Sequence, residues 1–168
     1  LIDSSNMAPT DWQMIADDIN ANYDKYDGFV ILHGTDTMAY SASMLSYMLN
    51  GLNKPVIFTG AQLPISAMRS DARENLMTSL EIATAKINGR PIVPEVCIFF
   101  NHMLLRGNRS KKVQSIHFDA FESENYPMLA EAGIVIDYNT NAIRPYEPHR
   151  KLINLNSLDN RVMILKLF

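Results

Sequence analysis

Residues 29–38 read Phe29-Val30-Ile31-Leu32-His33-Gly34-Thr35-Asp36-Thr37-Met38. The first four are wholly apolar, which is typical of a short strand covered on both faces of a sheet. A polar turn with one glycine follows, and residues 37–52 then predict a helix that is apolar or small almost all round. A buried strand that leads through a short turn into a helix is the repeating unit of an α/β protein with a parallel sheet.

The same alternation continues on both sides of this stretch. Upstream, Thr10 and Gln13 predict a capping box at the start of a helix, because each side chain can satisfy a free amide of the first turn. That helix is expected to end at Asp27-Gly28. Downstream, the apolar runs at 55–58 and 96–100 predict two more buried strands.

A third helix and the end of the domain complete the pattern. Between the last two strands, apolar residues at helical spacing predict a helix that ends at Asn88-Gly89. Residues 101–121 are polar with weak periodicity and predict an extended hairpin or loop, and residues 132–138 predict a last strand. Together the elements predict a flavodoxin-like α/β domain over residues 1–138, a parallel sheet with helices on both faces.

Beyond residue 138 the chain changes character. Residues 139–160 are polar, contain two prolines and show no clean period, so they predict an interdomain linker. Residues 161–168 are mostly apolar and predict the first strand of a second domain. The chain begins with Leu1 and ends within this strand-like run, so we expect it to be an internal fragment of a longer protein.

The composition fits a globular domain and argues against two kinds of partner. Hydrophobic residues make up 47% of the chain and charged residues 20%, which is too apolar for a disordered segment. The net charge of −3 argues against nucleic acid and membrane surfaces as partners, and no apolar run nears the roughly 20 residues that span a bilayer. The one cysteine, Cys97, lies in an apolar run, which predicts a buried thiol and suits a reducing cytoplasm.

Candidate chemistry sits where strands end, because open α/β sheets bind ligands beyond the carboxyl ends of their strands. The turn 33–37 brings two hydroxyls and a carboxylate to a helix start, although any of them can be an ordinary N-cap. The turn Thr59-Gly60-Ala61-Gln62 follows the next strand. Two other clusters are polar. Asp3-Ser4-Ser5-Asn6 can bind a ligand or be only a solvated turn. Residues 106–112 contain four cations and can present a lysine to a site or form only a solvated basic loop.

Taken together, these segments resemble the L-asparaginase family, and most of all its cytoplasmic (type I) branch. The stretch 31–38 is similar to the family's second signature. The loop 3–5, the turn 59–62 with Arg69-Ser70-Asp71, and the run 106–109 are similar to family segments and occur in the same order. The resemblance covers essentially the whole chain and implies the N-terminal domain of that family, without its first strand.

The resemblance implies a reaction and a catalytic set. Family members hydrolyse the side-chain amide of L-asparagine to L-aspartate and ammonia without a metal or an organic cofactor. Thr35, Asp36 and Lys112 resemble the family's Thr-Lys-Asp set. A threonine hydroxyl needs a neighbouring group to take its proton, so Lys112 can act as a proton relay or as a charge stabiliser.

The resemblance also implies substrate contacts and an assembly. Asp36 would hold the α-ammonium of the substrate, and Thr35 would contact it as well. Ser4 and Ser5 would bind its α-carboxylate and amine, with Asp3 in the same loop, and the carbonyl of Ala61 would accept from the scissile amide. The complete protein would be a homodimer or homotetramer, with L-glutamine as a weaker substrate.

The chain departs from the family pattern in three ways. The family's first signature, which carries the nucleophilic threonine, and the mobile loop with its tyrosine are expected upstream of Leu1. Most of the C-terminal domain is expected beyond Phe168. Lys111 stands where some bacterial members have threonine. We therefore expect these 168 residues to be inactive toward asparagine on their own, because catalytic groups that act as a unit are strongly non-additive.

Two other functions fit parts of the sequence. The amidase component of a tRNA-dependent amidotransferase shares the fold and the turn 33–37, and the basic loop near Arg109 favours it. A non-catalytic flavodoxin-like binding module would use the threonines only as helix caps. The joint presence of Thr35, Asp36 and Lys112 favours an enzyme over such a module.

Overall fold

A six-stranded sheet runs through the centre of the computed structural model, which describes residues 3–159 and 161–165. The helices are α1 (Pro9–Asn22), α2 (Met38–Met48) and α3 (Ala72–Thr84), with short 3-10 turns at Ser4–Asn6 and Gly107–Arg109. The strands are β1 (Phe29–Leu32), β2 (Leu49–Asn50), β3 (Val56–Thr59), β4 (Lys86–Ile87), β5 (Arg90–Pro91), β6 (Val96–Phe100), β7 (Met103–Arg106), β8 (Lys111–Lys112), β9 (Phe121–Glu122), β10 (Ala130–Ala132), β11 (Ile136–Tyr138) and β12 (Ile153–Asn154).

The sheet is mixed, and its parallel part is the part predicted from the apolar runs. Its strand order is β1-β3-β6-β7-β10-β11. Strands β1, β3 and β6 are parallel to one another, whereas β7, β10 and β11 are each antiparallel to the preceding strand in this order. The predicted α/β class is therefore confirmed, with β1, β3 and β6 as its parallel part, and the sheet continues through three antiparallel strands. Only two residues separate β6 from β7, whereas a parallel crossover needs a dozen or more.

Helices cover both faces of the sheet, as predicted. Val56 and Phe58 of β3 belong to the core that α1 and α2 cover. Ile57, which lies between them in the sequence, belongs to a second core that includes Ile82 of α3. Successive strand residues point to opposite faces, so a strand that is apolar at every position has to be covered twice.

Five local predictions are wrong for identifiable reasons. The predicted strand 132–138 is two antiparallel strands, β10 and β11, because the chain turns back at 133–135. The predicted capping box of Thr10 and Gln13 does not form. Pro9 is already helical, and the carboxylate of Asp11 accepts from the Ala8 amide at 2.7 Å.

The other three errors concern helix ends. Helix α1 ends at Asn22 instead of at Asp27-Gly28, because the chain tightens into turns in which the amides of Tyr23 and Lys25 donate to carbonyls three residues earlier. Asn88-Gly89 does not end α3, which stops at Thr84. Both residues have positive φ, +53° and +76°, and they form the tight turn between β4 and β5. This is the commonest use of Asn-Gly in hairpins. Helix α2 ends at Met48 instead of residue 52, because β2 follows it at once and pairs with β12.

The segment predicted as an interdomain linker lies against the domain in its described part. The side-chain amide of Asn53 donates to the carbonyls of Glu147 and Arg150, at 2.6 and 3.3 Å. Ala142 and Ile143 are buried in the core on the α3 side. The domain boundaries at 138 and 160 stay predictions. Residues 161–165 form no strand, and residues 160 and 166–168 of the predicted last strand lie outside the described residues.

Candidate functional site

Two polar turns lie side by side at the carboxyl ends of β1 and β3. The amide of His33 donates to the carbonyl of Thr59 at 2.8 Å, which extends the pairing of the two strands by one step into the turns. The turn 33–37 therefore lies beside the turn 59–62. This edge is where open α/β sheets bind ligands.

Lys112 reaches this edge from a distant part of the sequence. Its Nζ donates to the Thr35 hydroxyl at 2.8 Å and to Oδ1 of Asp36 at 2.7 Å, across a separation of 77 residues from Thr35. The lysine side chain is 15% exposed and the Asp36 side chain is 61% exposed. The structure thus brings together the three residues that the family resemblance assigned to catalysis, at the carboxyl ends of the parallel strands.

The loop that precedes α1 lies on the other side of the turn. The Thr37 hydroxyl donates to the Ser4 carbonyl at 2.6 Å. A Cβ placed on Gly34 would lie 2.4 Å from the Ser4 hydroxyl oxygen, so only glycine permits this close approach. Ser4 is consequently buried against the turn that carries Thr35.

Asp3 and Ser5 are exposed members of the same loop. The carboxylate of Asp3 accepts from the Ser5 amide at 3.0 Å and from the Ser5 hydroxyl at 2.8 Å. Both hydrogen bonds stabilise the charged carboxylate and so lower the pKa of Asp3 below its ordinary value, and the bond from the Ser5 backbone amide has the larger effect. The loop is therefore held in a compact turn, with the Ser4 hydroxyl beside Gly34.

The turn 59–62 is held in place by two side chains near the start of α3, the buried amide of Asn75 and the carboxylate of Asp71. The side-chain amide of Asn75 donates to the Gly60 carbonyl at 2.9 Å, and Asp71 accepts from the Gln62 backbone amide at 3.0 Å through both its oxygens. Within the described residues, no protein group donates to the Ala61 carbonyl. The role of this carbonyl as an acceptor for a ligand stays a prediction.

Sequence reasoning assigned no role to Gln62. Its Oε1 accepts from the Thr35 hydroxyl at 3.3 Å, and its Nε2 donates to the carbonyl of His117 at 2.9 Å. The Thr35 hydroxyl therefore has two neighbours, accepting from Lys112 and donating to Gln62. Gln62 stood in the quoted turn 59–62, but neighbouring strand ends alone do not show which side chain crosses between them.

The arrangement offers a carboxylate oxygen for a cationic group and a hydroxyl–amine pair for proton transfer. Asp36 uses Oδ1 for Lys112, which leaves Oδ2 for a cationic group. The Lys112 amine and the Thr35 hydroxyl are within proton-transfer distance. Across residues 3–159 and 161–165, no cluster of three or more His, Cys, Asp or Glu side chains could hold a metal ion. None of the helices in that part of the chain combines the length and apolar character needed to cross a membrane.

The chain is similar to proteins of one family. The family model for the N-terminal domain of asparaginase matches residues 1–144. L-asparaginase 1 of Escherichia coli (strain K12) is 58% identical over 136 residues, which are 81% of this chain and 39% of the relative. The 60 kDa lysophospholipase of Mus musculus is 46% identical over 168 residues, 100% of this chain and 29% of that protein.

A solved structure agrees with the sequence relatives. The crystal structure of L-asparaginase I from Vibrio cholerae O1 biovar eltor str. N16961 superimposes with a TM-score of 0.81 at 55% identity, covering 90% of this chain and 45% of that one. A component of the glutamyl-tRNA(Gln) amidotransferase of Thermoplasma acidophilum is more distant, at 37% identity over 140 residues. The chain spans less than half the length of these relatives. The resemblance drawn from the sequence is confirmed: the chain belongs to the asparaginase family, and residues 1–144 match its N-terminal domain.

Proposed function

We propose that the full-length protein hydrolyses the side-chain amide of L-asparagine to L-aspartate and ammonia. The observation that carries the proposal is the contact of Lys112 with both Thr35 and Asp36 beyond the carboxyl ends of β1 and β3. L-asparaginase 1 of Escherichia coli, at 58% identity, bears the name of this activity. The type I resemblance also favours a cytoplasmic enzyme.

Each proposed residue has a role that its position allows. The free oxygen of Asp36 pairs with the α-ammonium of the substrate, while Ser4 and Ser5, in the loop shaped by Asp3, bind its α-carboxylate. The Ala61 carbonyl accepts from the scissile amide. Thr35 and Lys112 then move the proton that the departing ammonia requires, since the hydroxyl and the amine are 2.8 Å apart.

Substitutions of Thr35 and Lys112, with the neighbouring Lys111 as the control, test this proposal. In the full-length protein, Thr35→Ala and Lys112→Met should each lower kcat for asparagine by orders of magnitude, because both remove part of the proton-transfer pair. Lys111→Met is the matched control, since the Lys111 amine contacts Glu122 and Glu124 and not the site. It should keep near-normal turnover, as measured by ammonia release. Full activity in Lys112→Met would refute the assigned role.

The same assay separates the proposal from its alternatives. Ser4→Ala should mainly raise KM. Ammonia release from asparagine would eliminate a non-catalytic binding module. The same assay with glutamine would measure the weaker substrate that we propose.

A tRNA pull-down tests the amidotransferase alternative. Failure of the full-length protein to retain tRNA would argue against an amidotransferase component, and the amidotransferase relative is also the more distant one in sequence. We further propose a homodimer or homotetramer, which light scattering would identify.

A further inference from the structure

A chain of hydrogen bonds leads from α1 to the turn that carries Thr35. Nε1 of Trp12 lies 2.8 Å from the Ser41 hydroxyl oxygen, which lies 2.9 Å from Nε2 of His33. Nδ1 of the same imidazole lies 2.7 Å from the carbonyl oxygen of Gly34. Ser41 is fully buried, so its partners are limited to these neighbours and its own helix.

The chemistry of the two end groups fixes the tautomer that a neutral His33 imidazole adopts in this chain of hydrogen bonds. An indole N–H can only donate, so Ser41 accepts from Trp12 and has its own hydroxyl proton left for His33. A carbonyl can only accept, so Nδ1 of His33 must carry a proton toward Gly34. In the neutral imidazole Nε2 is then an acceptor, as the Ser41 hydroxyl requires. Of the two neutral tautomers, only the one with its proton on Nδ1 satisfies all three contacts. Burial lowers the pKa of His33 and so favours the neutral ring.

The Gly34 carbonyl belongs to the same peptide plane as the Thr35 amide. A hydrogen bond to that oxygen therefore limits rotation of the plane and with it the direction of the Thr35 side chain. Gly34 has no side chain that could restrain the plane, and the Ser4 hydroxyl occupies the space where one would stand. The imidazole is the group that reaches this carbonyl in the described structure.

We propose that His33 is a positioning residue whose Nδ1–H tautomer holds the Gly34–Thr35 peptide and thereby aligns the Thr35 hydroxyl with Lys112. This inference rests on the proposed amide hydrolysis for its catalytic effect, but the tautomer itself can be tested without it. His33 acts through Thr35 and touches no substrate. A misplacement of about 1 Å at such a hydroxyl can cost on the order of a hundredfold in rate.

The tautomer is measured first, by long-range 1H–15N NMR of the imidazole nitrogens in the full-length protein at neutral pH. We expect the pattern of a neutral imidazole with its proton on Nδ1. An Nε2–H tautomer, or rapid exchange between the two forms as in free histidine, would overturn the proposal whatever the enzyme activity proves to be.

Three substitutions separate positioning from packing. His33→Asn keeps a side-chain N–H at the Nδ1 position, and His33→Gln keeps one at the Nε2 position only. His33→Phe keeps the ring volume without either nitrogen. We expect kcat for asparagine to fall on the order of tenfold or more in His33→Phe and His33→Gln, with a smaller change in KM, and to stay within about threefold in His33→Asn.

The control is Tyr126→Phe, which removes a 2.8 Å hydrogen bond to the Ala142 carbonyl in the core on the other face of the sheet. It should leave kcat unchanged. Equal loss of activity in His33→Asn and His33→Gln, or no loss in His33→Phe, would show that His33 does not act through the Gly34 carbonyl. A wild-type protein without asparagine hydrolysis would instead refute the proposed function and leave the tautomer result standing.

Discussion

Glu95 is a nearly buried carboxylate, with 3% of its side chain exposed. It accepts from the Arg106 guanidinium at 2.6 and 3.2 Å and from the Arg144 backbone amide at 2.8 Å. We expect Glu95→Ala to lower the free energy of unfolding by about 3–5 kcal/mol, because the partly buried Arg106 charge would lose its partner. Urea denaturation followed by circular dichroism measures this loss.

The matched comparison is Glu124→Ala, which removes an exposed carboxylate from its pair with Lys111. Solvent screens such pairs, so the midpoint of its urea transition should barely move. Equal loss of stability in the two variants would mean that burial of Glu95 has no energetic consequence.

Among the elements, the hairpin of β4 and β5 offers a clear test of backbone strain. Gly89 has φ +76°, and a Cβ at this position would meet nothing within 4 Å. Gly89→Ala should therefore destabilise the protein by roughly 1–2 kcal/mol through the left-handed backbone alone, without any steric clash. The measurement is again the free energy of unfolding in urea.

Gly133→Ala is the control, since Gly133 lies in a hairpin turn without positive φ and its nearest neighbour would be 3.7 Å from a Cβ. Its stability should change by less than about 0.5 kcal/mol. A larger loss at Gly133 than at Gly89 would mean that the turn conformations assigned to the two hairpins are wrong.

The elements also show what the sequence could predict. Strands β1 and β6 begin and end where the apolar runs do, because such runs are stable only as strands covered on both faces. The sequence failed where one local signal serves two purposes. Asn88-Gly89 favours both a helix end and a hairpin turn, and only the pairing of β4 with β5 decides between them.

For the whole molecule, the limit on prediction is distance along the chain. Spacing could place Thr35 and Asp36 on one turn, but nothing local could bring Lys112 to them across 77 residues. The family resemblance alone supplied that residue. The hydrogen bond from Thr35 to Gln62 was missed because it depends on the side-by-side arrangement of two turns, which follows only from the completed sheet.

The stability of the folded protein should depend on His33 in mildly acidic solution. Burial lowers the pKa of His33, and the hydrogen bond to Gly34 opposes this only in part. As pH falls through the ordinary value of about 6.5, the unfolded chain binds a proton that the folded protein does not, so the free energy of unfolding decreases. The charged groups near His33 are carboxylates. Asp11 and Asp18 line the same cavity as the imidazole, and Asp36 lies on the same turn, 33–37.

His33→Asn lacks this titration and supplies the comparison. Its free energy of unfolding should decline less than that of the wild type between about pH 7 and pH 5, as measured by urea titrations at each pH. An equal decline in both proteins would show that His33 titrates normally when folded.

Trp12 gives this arrangement an optical consequence. It is the only tryptophan among the 168 residues, and its indole N–H ends the hydrogen-bonded chain that begins at the Gly34 carbonyl. Indole emission is sensitive to hydrogen bonding at Nε1 and is quenched by a nearby imidazolium. We therefore expect the fluorescence of Trp12 to change when the hydrogen bonds of His33 change, as on acidification, so that this domain needs no attached dye.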